Sequence, residues 1–487
     1  MKISTIGTVI AAAVFSSSVV QADSSDLPPI KIDGNAFFNS KNGQRFYIRG
    51  VDYQPGGSSK LQDPLADSDN CKRDIPVFKD LGINTIRVYS VDNSKDHSDC
   101  MEQLQEAGIY LVLDVNTPQA SLSRLDPKCS YNANYLQNVF ATIDAFAKYD
   151  NVLGFFAGNE VINDVNNTFT APYVKAVVRD MKKYMKSQNY RQIPVGYSAA
   201  DIASNRELAA QYFNCGDEDD ARIDMFGVND YSWCGDSSFE KSGYSTKVET
   251  YENYSIPIFL SEFGCNQGVS DGRPFTEIGA IYSDKMSSVF SGGLVYEYSG
   301  EANGYGLVDI DGDSVSKNQD YQNLKKQYAA QSNPSGDGGY STSKKHSDCP
   351  SYKKDVWEAN NTIPDMPSAA SAYFKKGAGT PQGTKASTQN DCGSDVHVVP
   401  AGGSDSSDSG NGNNSTSSSG GSSSSTSTSS STSGISSHKS SSSASITTST
   451  KGDASTKGKN NKSVGAGAVL QVPSFFRAMA QVVDLVL

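Results

Sequence analysis

Two glutamates in this sequence stand directly after apolar runs. Glu160 follows Phe155-Phe156-Ala157-Gly158-Asn159, and Glu262 follows Ile258-Phe259-Leu260-Ser261. Two carboxyl groups held about 5 Å apart are the equipment of a retaining glycosidase, one as acid/base and one as nucleophile. A single glutamate in such a place is as readily a salt-bridge partner. Two in the same setting, with no Lys or Arg near either, point to catalysis by the pair; Asp114 and Glu297 are the rival carboxylates. Asn159 is placed to hold a sugar 2-hydroxyl, a contact that strengthens in the transition state. An Asn there also suits a turn cap. Tyr231 is placed to donate its hydroxyl to Glu262 and keep that carboxylate ionised, against the plainer role of aromatic packing.

For these side chains to meet, the segments that carry them must end on one face of the fold. Short apolar runs at 46–51, 85–89, 110–114, 152–157, 194–197, 225–229, 258–262 and 294–298 read as strands buried on both faces. Helical patterns at 100–107, 135–149, 173–187, 206–213 and 276–287 lie between them, and another at 320–328 follows. Eight strand–helix units predict an α/β fold, a (β/α)8 TIM barrel, over residues 23–374. A doubly wound open sheet is the alternative. No GxGxxG or P-loop follows any strand, so a nucleotide-binding version has no support. Residues 30–37 and 46–48, around Asn42-Gly43, read as a hairpin at the barrel bottom.

The active site of a TIM barrel lies at the C-terminal ends of its strands. Those ends carry Asp52-Tyr53-Gln54, Tyr89, Asp114, Asn159-Glu160, Tyr197, Asn229-Asp230-Tyr231, Glu262 and Tyr296-Glu297-Tyr298, with no His, Cys or Lys. Carboxylates for acid/base and nucleophilic work, amides for hydroxyls and aromatic faces for sugar rings make up a carbohydrate site. The fourth and seventh strands lie roughly across the barrel mouth, so Glu160 and Glu262 can face one central substrate.

The charge balance narrows the alternatives. The 487 residues hold 42 Lys+Arg against 54 Asp+Glu, a net charge of −12, which argues against a general nucleic-acid binder. Four histidines argue against His-rich metal chemistry, and no metal or cofactor is expected. Gly196-Tyr197-Ser198-Ala199-Ala200 approaches a nucleophile elbow, but His346, His397 and His438 all fall beyond the barrel. The acidic stretch at 309–313 hints at a calcium loop, yet Ser314 and Asp320 stand where that loop needs Gly and Glu, so it reads as a tight turn. His97 reads as structural.

The ends carry processing signals. Residues 1–22 read as a secretory signal peptide cut after Ala22. Residues 375–461 are rich in Ser, Thr and Gly and read as a disordered, O-glycosylated stalk. Residues 462–487 read as a GPI-attachment propeptide with Asn461 as the attachment site, although Arg477 and Asp484 interrupt the tail. An amphipathic terminal helix is the competing reading. The expected location is the outer face of the cell membrane, on a lipid anchor, or the cell wall. Asn166, Asn253 and Asn360 head glycosylation sequons within the folded region; Asn413, Asn414 and Asn461 head others beyond it. The eight cysteines of a secreted chain should mostly pair, but composition alone leaves about 105 connectivities.

With these residues in view, the chain resembles the fungal β-1,3-glucanosyltransferases, glycoside hydrolase family 72. The resemblance runs from about Ile32 to Phe374. It is carried by FFNSKNGQRFYIRGVDYQPGG, INTIRVYSVDN, YLVLDVNTP, VLGFFAGNEV, MFGVNDYSWCG, IFLSEFGCN and GGLVYEYS. It implies a retaining, two-step transfer with Glu160 as acid/base and Glu262 as nucleophile. It implies that Gln54, Tyr89, Asp114, Asn159, Tyr231, Tyr296 and Tyr305 line the donor and acceptor glucan sites. It also implies the disulfides Cys71–Cys100, Cys215–Cys349 and Cys234–Cys265, with Cys129 and Cys392 unassigned. Some members carry a Cys-rich carbohydrate-binding module after the barrel. Only Cys349 and Cys392 follow the barrel here, so that module is not expected.

Three functions compete. The first is elongation of β-1,3-glucan by transfer between donor and acceptor chains. The second is hydrolysis by the same two glutamates, as an endo-β-1,3-glucanase. The third is glucan binding without catalysis, against which the intact Glu160 and Glu262 speak. Only the resemblance separates the first from the second.

Overall fold

Runs of residues buried on both faces cannot end as an exposed sheet; here they pair in parallel until the sheet meets itself. The computed structural model describes residues 27–57 and 60–392. Three short antiparallel strands come first: β1 (Ile30–Asp33), β2 (Ala36–Asn39) and β3 (Arg45–Phe46). The barrel strands follow: β4 (Ile48–Asp52), β5 (Thr85–Val88), β6 (Tyr110–Asp114), β7 (Val152–Asn159), β8 (Val195–Ala200), β9 (Met225–Cys234), β10 (Ile258–Cys265) and β11 (Phe290–Val295). They close in the order β10-β11-β4-β5-β6-β7-β8-β9, all parallel. This is the expected (β/α)8 barrel and not an open doubly wound sheet.

Helices α1 (Ser68–Leu81), α2 (Ser98–Glu106), α3 (Pro127–Ser130), α4 (Ala133–Phe146), α5 (Ala171–Ser187), α6 (Arg206–Phe213), α7 (Tyr244–Tyr251), α8 (Ile278–Ile281) and α9 (Gln319–Ala330) connect and cover the strands. The larger apolar core lies between helices and barrel wall. A second fills the barrel itself with Ile48, Tyr110, Leu153, Met225, Phe259 and Leu294. Met225 fits because Gly154 faces it; a Cβ there would stand 2.4 Å from the Met225 Cε. Ile30 and Phe37 join this inner core, with the Phe37 ring 6.0 Å from Phe259, so the hairpin plugs the bottom as expected.

Several boundaries differ from the sequence reading, each for a local reason. The helix expected at 276–287 shrinks to α8, because Ser283 bonds its hydroxyl to the Ala280 carbonyl in place of continuing the ladder. The last barrel strand starts earlier, at Phe290, where Gly292 at φ 86° lets the backbone pass close to Ile48. Helix α1 escaped notice because Pro76 sits inside it; an Asp67 N-cap and a left-handed Gly82 bound it. The stretch at 309–313 is the end of β12 (Val308–Asp311) and the tight Gly312-Asp313 turn into β13 (Ser314–Lys317). His97 is structural, with Nε2 2.7 Å from the buried Asp63 carboxylate.

The folded part does not stop at Phe374. A strap at 377–392 runs back over α4, where Gln137 Nε2 donates to the carbonyls of Ala378 (3.0 Å) and Thr380 (2.9 Å). Its Gly-, Thr- and Gln-rich sequence resembles a stalk, but its backbone groups find partners in the domain. Disulfides join Cys71–Cys100, Cys215–Cys349, Cys234–Cys265 and Cys129–Cys392. Both cysteines after the barrel are thus bridged back to it, which leaves none for a Cys-rich module. Among the described residues no helix is long and apolar enough to cross a membrane. The expected signal peptide at 1–22, the stalk beyond Cys392, Asn461 and the tail at 462–487 lie outside the described residues.

Candidate active site

Strict alternation would send Glu262 away from the barrel axis. Phe259 points inward, so Ser261 should as well and Glu262 should not. A register shift between Leu260 and Glu262 in the β9–β10 pairing breaks the alternation and lets consecutive residues share the mouth. The β7–β8 pairing is shifted in the same way between Phe156 and Asn159. Glu160 then turns with φ 47°, a left-handed conformation uncommon for a side-chain-bearing residue. Its N–H donates to the Ser198 carbonyl (2.8 Å) and its carbonyl accepts from Arg124 Nη2 (2.8 Å).

Both glutamates line one cleft of about 700 Å³ at the barrel mouth. Glu262 is 7% exposed and meets three donors. Its Oε1 accepts from the Tyr89 hydroxyl (2.8 Å) and Arg87 Nη1 (3.2 Å); its Oε2 accepts from the Tyr231 hydroxyl (2.7 Å). This carboxyl is pushed up to about 7: burial raises it most, Arg87 and the two phenols pull it back toward the ionised form, and Glu160 adds to the rise. Burial and the neighbouring carboxylates hold both phenols well above their ordinary value, so they remain donors. Glu160 accepts at Oε1 from Asn229 Nδ2 (2.9 Å) and is only half-buried, open to the cleft.

Arg87 is the hub, and it corrects the sequence reading that no Arg stands near either glutamate. It is fully buried. Nε and Nη2 grip Asp114 at 3.0 and 2.9 Å, Nη2 also reaches Asn159 Oδ1 at 3.0 Å, and Nη1 reaches Glu262. Asp114 has both oxygens on this guanidinium, so it orients Arg87 while lining the cleft. Asn159 Oδ1 also accepts from Asn229 Nδ2 (3.1 Å), which leaves its own amide N–H groups for a ligand. Asn229 Oδ1 in turn accepts from Ser198 (3.0 Å) and Ser261 (2.7 Å). The network has one polarity: donors converge on Glu262, and amides fix Glu160 and Asn159.

The remaining expected residues divide. Gln54, Tyr89 and Tyr296 line the cleft. Gln54 is largely occupied with backbone, accepting from the N–H groups of Tyr89 (3.1 Å) and Ser90 (2.9 Å) and donating to the Gln62 carbonyl (2.7 Å). Tyr296 stands edge-on to Tyr89 and Tyr231 at 6.5 and 6.3 Å. Tyr305 is one ring behind, 7% exposed and packed against Tyr231 and Tyr296, so it supports the cleft wall and does not line the cavity. Glu297 also lines the cleft but is tied to Asn303 Nδ2 (2.7 Å); burial pushes it up to about 7. Asp52 is wholly buried with both carboxylate oxygens unpartnered, and burial holds it well above the usual carboxylate range. The Cys234–Cys265 bridge ties the ends of β9 and β10, the strands that bear Tyr231 and Glu262.

Sequence reasoning passes over Arg87, Ser261 and Arg124; Asn229 enters it only among the strand-end amides and Ser198 only in the rejected nucleophile elbow. Arg87 and Ser261 are detectable as polar side chains inside runs that must be buried on both faces. Of the sequons, Asn166, Asn253 and Asn360 are all exposed, and Asn166 stands on the cleft wall with Nδ2 donating to Asp164 (2.7 Å).

The sequence and fold have close counterparts. A family profile described as Glucanosyltransferase matches residues 19–332. The 1,3-beta-glucanosyltransferase GAS5 of Saccharomyces cerevisiae is 72% identical over 384 residues, covering 78% of this chain and 79% of that protein. The 1,3-beta-glucanosyltransferase gel1 of Aspergillus fumigatus is 56% identical over 374 residues, covering 76% of this chain and 81% of its own. Among solved structures, a glutamate-to-glutamine mutant of Gas2p from Saccharomyces cerevisiae, in complex with laminaritetraose and laminaripentaose, superposes with a TM-score of 0.65 at 44% identity, covering 70% of this chain and 75% of that one.

Proposed function

This chain belongs to the glucanosyltransferase family, and from that premise and its site we propose that it is a 1,3-β-glucanosyltransferase acting by retaining double displacement. The enzyme cleaves a β-1,3-glucan internally and passes the new reducing end to the non-reducing end of another chain. The observation that carries the reading is the asymmetry of the two carboxylates. Glu262 is buried under three donors that favour its carboxylate form and fix it for attack; Glu160 is half-exposed with a single amide donor, within reach of a departing oxygen.

In the first step a Glu262 oxygen attacks the anomeric carbon while Glu160 gives its proton to the departing glycosidic oxygen. A glycosyl ester on Glu262 results, and the leaving chain departs with a new non-reducing-end hydroxyl. In the second step the 3-hydroxyl at the non-reducing end of an acceptor attacks the same carbon, Glu160 takes its proton, and the ester bond breaks. Two inversions leave the β configuration. Arg87 and the two phenols donate to the Glu262 carboxylate before attack and when it is released, so their placement needs no rearrangement during the reaction. The Asn159 amide holds the donor's 2-hydroxyl, and Tyr89 and Tyr296 offer ring surface to the donor sugars. Gln54, Asp114 and Tyr305 act through the groups they hold.

The reading extends to the cell surface: a secreted enzyme held on the membrane's outer face by a GPI lipid at Asn461, or released into wall glucan. The test of transfer is incubation with a reduced laminari-oligosaccharide and sizing of the products. Products longer than the substrate are expected. Shorter products alone would make the enzyme an endo-β-1,3-glucanase, and no turnover would leave a glucan-binding protein.

A further inference from the structure

We infer that the strap at 377–392 belongs to the reaction machinery: Gln389, the Cys129–Cys392 bridge and Arg124 form a positioning device for the backbone of Glu160. The inference rests on Glu160 being the acid/base. Between β6 and α3 the chain makes a loop at 115–126, and most of that loop forms one wall of the glucan cleft. The wall is held from behind by the strap. Thr388 N–H donates to the Gln119 carbonyl (2.9 Å), and Gln389 Nε2 donates to the Pro118 carbonyl (3.2 Å) and to Ser121 Oγ (2.6 Å). Ser121 itself lines the cleft. Asn132 Nδ2 donates to the Thr388 carbonyl (2.8 Å), and Cys392 is bonded to Cys129 in α3, where the loop ends.

The strap has its own anchor. Besides the Gln137 bonds, Gly383 N–H donates to Asn93 Oδ1 (2.9 Å), and Ala386 and Thr388 are 0% exposed. On the cleft side the loop presents Arg124, whose Nη2 donates to the Glu160 carbonyl at 2.8 Å. Glu160 is the residue at φ 47°, and such a conformation persists only where the surroundings over-determine it. The path therefore runs by hydrogen bonds from the strap to residues 118–121, along three residues of chain to Arg124, and by a hydrogen bond to the Glu160 carbonyl. A misplacement of about 1 Å at a reacting group can cost about 100-fold in rate.

A purely structural role and a positioning role separate on the leaving group. An unmodified β-1,3-linked oligosaccharide needs a proton on its departing oxygen. A dinitrophenyl laminari-oligoside departs as a stable anion and does not. The full chain is compared with Gln389→Ala, Arg124→Met, Arg124→Lys and the double change Cys129→Ser with Cys392→Ser, each checked by thermal unfolding. Gln389→Ala keeps the disulfide and is the mildest probe. The expected result is a loss of about tenfold or more in oligosaccharide cleavage with the dinitrophenolate burst kept within about twofold. Arg124→Lys, which can still donate to the Glu160 carbonyl, should recover part of the loss. Equal losses on both donors, or no loss on either, would overturn the inference. Glu160→Ala is the control: if it loses the burst as well, the acid/base assignment fails, and if it keeps the burst while the strap variants do not, the strap assignment fails.

Discussion

Replacing Tyr231 with Phe removes one hydroxyl and keeps the ring packed against Tyr296 and Tyr305. The hydroxyl is one of three donors on Glu262, at 2.7 Å from Oε2. A hydrogen bond to a charged acceptor contributes about 1.5–3 kcal/mol, and about 1.4 kcal/mol is a tenfold change in a protonation equilibrium. The proposed first step requires Glu262 ionised and Glu160 protonated. The Glu262 carboxyl, raised mainly by burial, lies at about 7, so on the proposed mechanism kcat/KM should fall as pH drops through that value. Losing a donor to the anion favours the protonated form and moves this acid limb to higher pH, by about one to two pH units. The assay is the pH dependence of transfer by Tyr231→Phe and wild type. Glu262 stands among other buried carboxyls, so the limb, and not a single residue's titration, is the quantity compared. An acid limb that stays in place, or moves down, would refute the claim that the phenol holds the nucleophile as an anion.

Arg87→Met should lower stability by about 3–5 kcal/mol near neutral pH, because Asp114 and Glu262 are left buried without their cation. Urea unfolding should show a smaller loss at low pH, where both carboxyls are neutral. Glu277 gives a second pH effect: it is 3% exposed and burial raises it to about 8 from 4.5. A raised carboxyl contributes stability that is complete below pH 4.5 and is lost as pH rises through about 8. Glu277→Gln should therefore flatten the decline of the unfolding midpoint across that window, and a parallel decline in both proteins would contradict the assignment.

The barrel was legible because parallel strands buried on both faces read as short apolar runs, and each of the eight runs coincides at least in part with a barrel strand. The two glutamates were legible because each closes such a run. Arg87 was not, because attention to strand ends passes over the middle of Thr85-Ile86-Arg87-Val88. The register that pairs Asp52 with Arg87 and Arg87 with Val112 puts this charge inside the ring, where it must find carboxylates. The outward neighbours Ile86 and Val88 carried the strand signal. The strap was missed for the opposite reason: it is held by backbone hydrogen bonds, small buried alanines and one disulfide. Its composition alone matches the stalk that follows in sequence. Cys392 was the one local sign that the fold continues past Phe374.

The central claim is that Glu262 becomes the covalent carrier of the donor glucan. The direct measurement is mass spectrometry of the intact and peptic-digested enzyme after reaction with a 2-deoxy-2-fluoro laminari-oligosyl fluoride, which slows release of the glycosyl-enzyme more than its formation. The account predicts one glycosyl adduct, on the peptide containing Glu262, absent from Glu262→Gln and discharged when an acceptor laminari-oligosaccharide is added. An adduct on Asp114 or Glu297, or steady turnover by Glu262→Gln, would contradict it.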